Sequence, residues 1–390
     1  MIVDYLYDDK PSLRRCGLVC RSWLPSSRFH LFSTLRLIVG TDISVLCALG
    51  SSIPPYVRNL DVNIRNSGWR PDPIGTPWFS ETLLKLPRMP AIQGLSLTNV
   101  AWDLVTLEAK ERLFTLTSGL KSLSLDCMRF GTLGQAIECI ASAPLLERLQ
   151  MGNIKCHSED VSLTPFTAPP LKEIIFRVVC TPVMFRWLRF WQPIPSVYSL
   201  SFDIFRSGDI RSIAAADYVK FLGPILEHLQ LHSNSSQRRE AHRMSLHFVP
   251  PSRFLKVIFT ENHLYNEFDL AQNVSLRTIT FDLWGKLSGS GAQHWIISIL
   301  SQITSRHIKR VTLNIFLDSL AELTVFDPPA LAALFISGGS TFAEQATRLR
   351  IGISGVIGRV EGRMAIREAF RELDSQGRLE IRVRWDGSEL

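Results

Sequence analysis

The sequence predicts an α/β chain: a short N-terminal helical segment followed by a solenoid of strand–helix repeats with a curved parallel sheet. Three observations predict it. The first 36 residues place apolar side chains at helical spacing. One short phrase, an apolar residue, two polar ones and then alternating apolar positions, recurs ten times from Val57 to Leu313. Helical stretches such as Gly134 to Ser142 and Ala214 to Leu222 fall between most copies. Domains are accordingly expected at 1–36 and 37–390.

In the opening segment, Ile2, Val3 and Leu6 form one apolar face, and Asp8 and Asp9 break it. Pro11 falls where a first helical turn accepts proline. Leu13, Cys16, Cys20 and Trp23 then recur at steps of three, four and three, which is one stripe of a helix ending near Pro25. Leu18 and Val19 widen the stripe, and Leu31 and Phe32 supply a last apolar pair. Such a unit carries more apolar surface than it buries within itself, so it needs a second body.

The run Leu13-Arg-Arg-Cys-Gly-Leu18-Val-Cys-Arg-Ser-Trp23, followed by Leu24-Pro-Ser-Ser-Arg-Phe-His-Leu-Phe32, resembles the second and third helices of an F-box. It is similar above all to the form found in large fungal F-box families. The resemblance covers residues 1 to about 36, and its most specific part is the Val19-Cys20-Arg-x-Trp23 core with Leu31-Phe32 downstream. The family's opening Leu-Pro-x-Glu segment has no counterpart before Met1, so the F-box is expected to be truncated at its start. The resemblance implies docking on a Skp-family adaptor of a cullin-based ubiquitin ligase through Leu13, Leu18, Val19, Cys20, Trp23, Leu31 and Phe32.

The repeated phrase centres on Leu60, Leu95, Leu123, Leu149, Ile174, Leu200, Leu229, Ile258, Ile279 and Val311, with weaker echoes at Leu349-Arg-Ile351 and Leu379-Glu-Ile381. The central residues are spaced 35, 28, 26, 25, 26 and 29 as far as Leu229, then 29, 21 and 32. Leucine-rich repeats run about 20–29 residues, so the middle units fit and the outer ones carry insertions. The phrase resembles Leu-x-x-Leu-x-Leu without the usual Asn turn. Alternation over five or six residues means a strand with one buried face, and strand plus helix, repeated, stacks into a solenoid. The insertions at Asn66 to Phe79 and His232 to Pro251 are expected to be long loops.

Composition bounds the function. With 46% hydrophobic and 20% charged residues the chain is globular. A net charge of +7 is spread along it rather than gathered on one stripe, which argues against nucleic-acid binding. The seven cysteines form an odd, scattered set with no Cys-x-x-Cys pair. No apolar stretch approaches the roughly 20 residues of a membrane span, and acidic residues interrupt the place of a signal peptide. An intracellular protein, cytoplasmic or nuclear, with no cofactor, metal or membrane partner is expected. No catalytic constellation is visible: Gly352-Ile-Ser-Gly355-Val-Ile-Gly358 lacks a phosphate-loop pattern and reads as a turn, so no enzymatic activity is expected.

The polar positions flanking the buried strand residues are expected to form the open, concave face that receives a target protein. Ser124, Arg148, Gln150, Ser201, His228, Gln230, Thr280 and Arg310 are its candidate partner-binding residues. The sequence is thus expected to encode a substrate-recognition subunit, or alternatively a solenoid scaffold without a ligase role.

Overall fold

The structure, a computed structural model, describes residues 2–48, 51–64, 75–158, 160, 167–177, 182–191, 193–204, 210–234, 268–284, 292–317, 319–338, 340–355 and 359–383. The chain is a mixed α/β protein with extensive parallel sheet. It divides into two compact units: Met1–Cys180 with Phe190–Ser196, and Thr181–Arg189 with Val197–Leu390.

The first unit opens with a 3-10 helix, Ile2–Leu6, and the helices Lys10–Val19 and Leu24–Phe32. Asp9 caps the first helix by accepting a hydrogen bond from the Ser12 amide at 3.1 Å. The single helix expected through Trp23 is broken: Cys20 is extended (φ −157°, ψ 161°) and a new helix starts at Leu24. Pro25 explains the break. Inside a continuing helix its ring would clash with a carbonyl one turn back, but in the first turn of a new helix it is tolerated.

Eight strands follow in this unit: β1 (Thr34–Ile38), β2 (Asn59–Asn63), β3 (Gly94–Thr98), β4 (Ser122–Asp126), β5 (Arg129–Thr132), β6 (Arg148–Gly152), β7 (Lys155–Ser158) and β8 (Glu173–Arg177). β1, β2, β3, β4, β6 and β8 pair in parallel in that order. β5 and β7 make a separate parallel pair. β1 runs across the boundary expected between residues 36 and 37.

The second unit carries β9 (Ser199–Ile204), β10 (His228–Asn234), β11 (Thr278–Trp284), β12 (Arg310–Leu317), β13 (Arg348–Gly355) and β14 (Leu379–Val383), again parallel and in chain order. The expected copy at Leu255–Ile258 lies outside the described residues, and β10 pairs directly with β11. The two weak echoes prove to be full strands, β13 and β14. Gly352 to Gly355, expected to turn, is the end of β13, and the expected loop from Asn66 yields at its end to the helix Gly75–Lys85.

One backbone device recurs. The carbonyl just before a strand accepts two successive amide N–H groups from the next unit. Ser33 O accepts from Arg58 and Asn59, Arg58 O from Gln93 and Gly94, and Gln93 O from Lys121 and Ser122. Lys121 and Glu147 repeat it in the first unit, as do Tyr198, Glu227 and Arg277 in the second. The bonds run from 2.7 to 3.3 Å. A carbonyl has two lone pairs, so this satisfies both incoming donors at once.

Many strands bury alternate residues: Leu95 and Leu97, Leu123 and Leu125, Leu149 and Met151 in the first unit, and Leu229 and Leu231, Ile279 and Phe281, Val311 and Leu313 in the second. Helices Leu107–Thr117 and Leu133–Ala141 bury Leu113 and Ile137, with Thr106 and Thr132 as N-caps. Parallel pairing with one partly exposed face is what these strand patterns share; the curved sheet and solenoid stacking expected from the sequence are not shown by this pairing. Cys127 and Cys139 are buried, and burial pushes the Cys139 thiol up to about 12, as befits an inert small hydrophobe.

Leu149→Ala, at a fully buried position, is expected to cost about 2–5 kcal/mol in urea unfolding. Leu145→Ala, at an exposed one, should stay within about 0.5 kcal/mol of the parent.

Candidate functional site

Two surfaces are built by this framework. The first is the N-terminal helical segment. Leu13 and Val3 are buried, while Leu18 and Val19 are 88% and 65% exposed at the helix end. Cys20 is exposed, and Trp23, Leu31 and Phe32 are half-buried. Leu13, expected among the adaptor contacts, therefore belongs to the interior of the segment. The remaining six keep some or all of their surface in solvent. His30 Nε2 lies 3.0 Å from Asp4 Oδ1 and ties the 3-10 helix to the second helix. The Arg58 guanidinium sits 5.0 Å from the Phe29 ring centroid, a cation–π contact between that helix and the start of β2.

The second is the polar strand face. In the first unit it is sparse. Ser96, Ser124 and Gln150 share one row, and all are half-exposed. Arg148, exposed as expected, pairs with Glu173 at 2.6 Å, and Arg36 pairs with Asp61 at 2.9 Å. At three places an Asn or Asp leans over a glycine at the paired position of the next strand: Asn59 over Gly94, Asp126 over Gly152, and Asn314 over Gly352 in the second unit. A Cβ at any of these glycines would collide with the carboxamide or carboxylate oxygen.

In the second unit the face is dense. Register places Ser201, Gln230, Thr280, Thr312, Arg350 and Glu380 in one row, and Asp203, His232, Asp282, Asn314, Gly352 and Arg382 in the next. Long side chains reach diagonally between rows. His232 Nε2 lies 2.8 Å from Ser201 Oγ and its Nδ1 2.9 Å from Asp282 Oδ2. Gln230 Nε2 donates to Asp282 Oδ2 at 2.6 Å, and Asn314 Nδ2 donates to Oδ1. Ser201, expected to be open to a partner, is therefore only 6% exposed, because His232 covers it. Gln230, Thr280, His228 and Arg310 are half-buried. His228 Nδ1 lies 2.8 Å from Thr278 Oγ1.

Ser201, His232 and Asp282 are connected in the order of a nucleophile, its base and an orienting carboxylate. A 6% exposed serine offers a substrate little access, and Asp282 is saturated by three donors. The chain of bonds acts as a polar lock across β9, β10 and β11. Burial opposes the charge of Asp282, but the bonds from His232, Asn314 and Gln230 outweigh it and hold its carboxyl below the usual carboxylate range.

Beside the lock lies a recess of about 210 Å³ lined by Thr278, Thr280, Arg310, Thr312, Asn314, Arg350 and Arg382. Sequence reasoning picked out Thr280 and Arg310 but not the recess. Its convergence depends on the register of four strands separated by about thirty residues each. Among the described residues no group of three His, Cys, Asp or Glu side chains is placed to hold a metal ion, and no helix is long and apolar enough to cross a membrane.

Comparison with known proteins adds little to this geometry. No family model matches the chain, and no curated protein is similar to it. A crystal structure of a protein from Bacteroides fragilis aligns over 89% of this chain and 73% of its own, at 10% identity and a TM-score of 0.39. A likeness of that size carries no argument about fold or function.

Asp282 gives a pH prediction. Its folded-state pKa lies below its ordinary value of 3.8. The stability it contributes is thus present above that value and lost as pH falls through the folded one. Urea unfolding from about pH 5 downward should show the parent losing stability and Asp282→Asn losing less. At neutral pH Asp282→Asn should cost about 1–3 kcal/mol, because its amide turns donors against donors.

Proposed function

We propose that the chain is a substrate-recognition subunit of a cullin-based, SCF-type ubiquitin ligase. In this reading the F-box-like N-terminal segment docks on a Skp-family adaptor, and the strand–helix units stack as a leucine-rich-repeat-like solenoid whose polar face holds a target protein. The protein catalyses nothing itself and acts by bringing the target near the ligase. The observation that carries the reading is the exposed Leu18-Val19 pair on a helix whose other side buries Leu13. A solvated apolar pair at the end of an ordered helix is the form that an unfilled docking anchor takes.

The strand faces support the second half. Parallel sheets inside ordinary α/β domains are covered on both sides and read as continuous apolar runs. Here several strands of the repeat alternate buried apolar with accessible polar residues, as in Asn59–Asn63 and Ser122–Asp126. One face is thereby left for a partner, as in solenoids.

Titration of the full chain with a purified Skp-family adaptor tests the reading. Leu18→Asp should weaken binding by roughly 2 kcal/mol, about thirtyfold, without lowering the thermal unfolding midpoint. Ser124→Ala should leave adaptor affinity unchanged. Absence of adaptor binding by a folded chain would remove the ligase role and leave an interaction scaffold.

A further inference from the structure

We propose that the recess on the polar face of β11 to β14 is a binding site for a phosphate group, free or as a monoester. Arg350 is matched by Glu380 at 2.8 Å, and Arg382 contacts the other oxygen of the same carboxylate at 3.0 Å. One carboxylate thus serves two guanidinium groups. Arg310 has no carboxylate partner among the described residues, and its Nε is buried with no hydrogen-bond partner. A buried donor left unpaired costs free energy; Nε itself is closed to solvent, and it is the part of Arg310 lining the recess that is left to meet a further acceptor.

Register sharpens the point. Arg310 is directly paired with Arg348, and Arg350 follows two residues on along the same strand face. Like charges facing each other on neighbouring strands repel, and an anion between them removes the repulsion. Asp282, which would otherwise neutralise this end of the face, is already engaged by His232, Gln230 and Asn314.

The donor set then selects the anion. Guanidinium groups bind phosphate through paired N–H donors, and the Thr278, Thr280 and Thr312 hydroxyls add short donors at the wall. At about 210 Å³ the recess is smaller than the roughly 300–1,000 Å³ of sites that enclose a drug-sized ligand. It fits a small tetrahedral oxyanion with the remainder of any ester lying outside. Gly352 leaves room for Asn314, since a Cβ there would push the carboxamide from its place.

Isothermal titration of the full chain at low ionic strength, with inorganic phosphate and separately with phenyl phosphate, tests the site. Acetate serves as the comparison anion. Binding of inorganic phosphate alone identifies a site for the free ion, and tighter binding of phenyl phosphate identifies a monoester site; both support the proposal. Arg310→Gln should weaken binding about tenfold or more and abolish the rise in unfolding temperature that phosphate gives the parent. Without phosphate, Arg310→Gln should unfold no earlier than the parent, because it removes an unpaired buried donor; a purely structural arginine would behave in the opposite way. Thr280→Val provides a second weakened variant, and Arg36→Gln, on the first unit, should change nothing. The proposal is overturned if neither phosphate binds the folded chain, if acetate binds equally well, or if Arg310→Gln and Thr280→Val both keep the parent's affinity.

Discussion

At eight strand joints one carbonyl takes two amide N–H groups from the repeat that follows it, and much of the structure depends on that bond pair. The carbonyl lies immediately before a strand, so the bonds set the register of everything downstream. Glu147 and Arg148 bound to Lys121 O place Leu149 beside Leu123 and Gln150 beside Ser124. A slip of one residue would send the leucines to solvent and the polar residues into the core. Burying a row of leucines therefore enforces the register, and the register in turn lines up side chains from strands far apart in sequence. The His232 lock and the arginine recess are consequences of that alignment.

The two candidate surfaces rest on opposite physics. At the N-terminus, Leu18 and Val19 remain solvated at the end of a short helix that buries Leu13 on its other side. Their cost is relieved by contact with a second apolar body. On the strand face of the second unit, charge and hydrogen bonding are satisfied internally almost everywhere, by His232, Gln230 and Asn314 around Asp282 and by Glu380 around two arginines. Among the buried side-chain atoms of the described residues on that face, the exception is Arg310 Nε. A surface with one unmet donor among many met ones discriminates by chemistry, whereas an exposed apolar pair discriminates by shape.

Most strands were legible in the sequence because their apolar residues alternate over five positions, and Leu95, Leu123, Leu149, Leu229 and Ile279 are all buried as that pattern requires. β1 was not legible: Thr34 to Ile38 follows an apolar helix end directly, with Leu35 and Leu37 reading as its continuation. The helix break at Cys20 was hidden by a stripe of residues at helical spacing, although Pro25 carried the signal. The burial of Ser201 was beyond local reading, since the residue that covers it is 31 positions away. Arg310 was visible as a polar-face residue, but its unpaired state depends on which neighbours Glu380 and Asp282 have already taken.

The glycines at 94, 152 and 352 have a consequence for how such a chain changes over generations. Repeat arrays grow and shrink by duplicating or losing whole units, and interchangeable units make this easy. Here Asn59, Asp126 and Asn314 each need a neighbour without a side chain. Loss of the unit carrying Gly94 would set Asn59 against Ser122, and the carboxamide would meet a Cβ where it now lies over bare backbone. The units are thus keyed to their neighbours, and the order of the array is protected against shuffling at three of its joints.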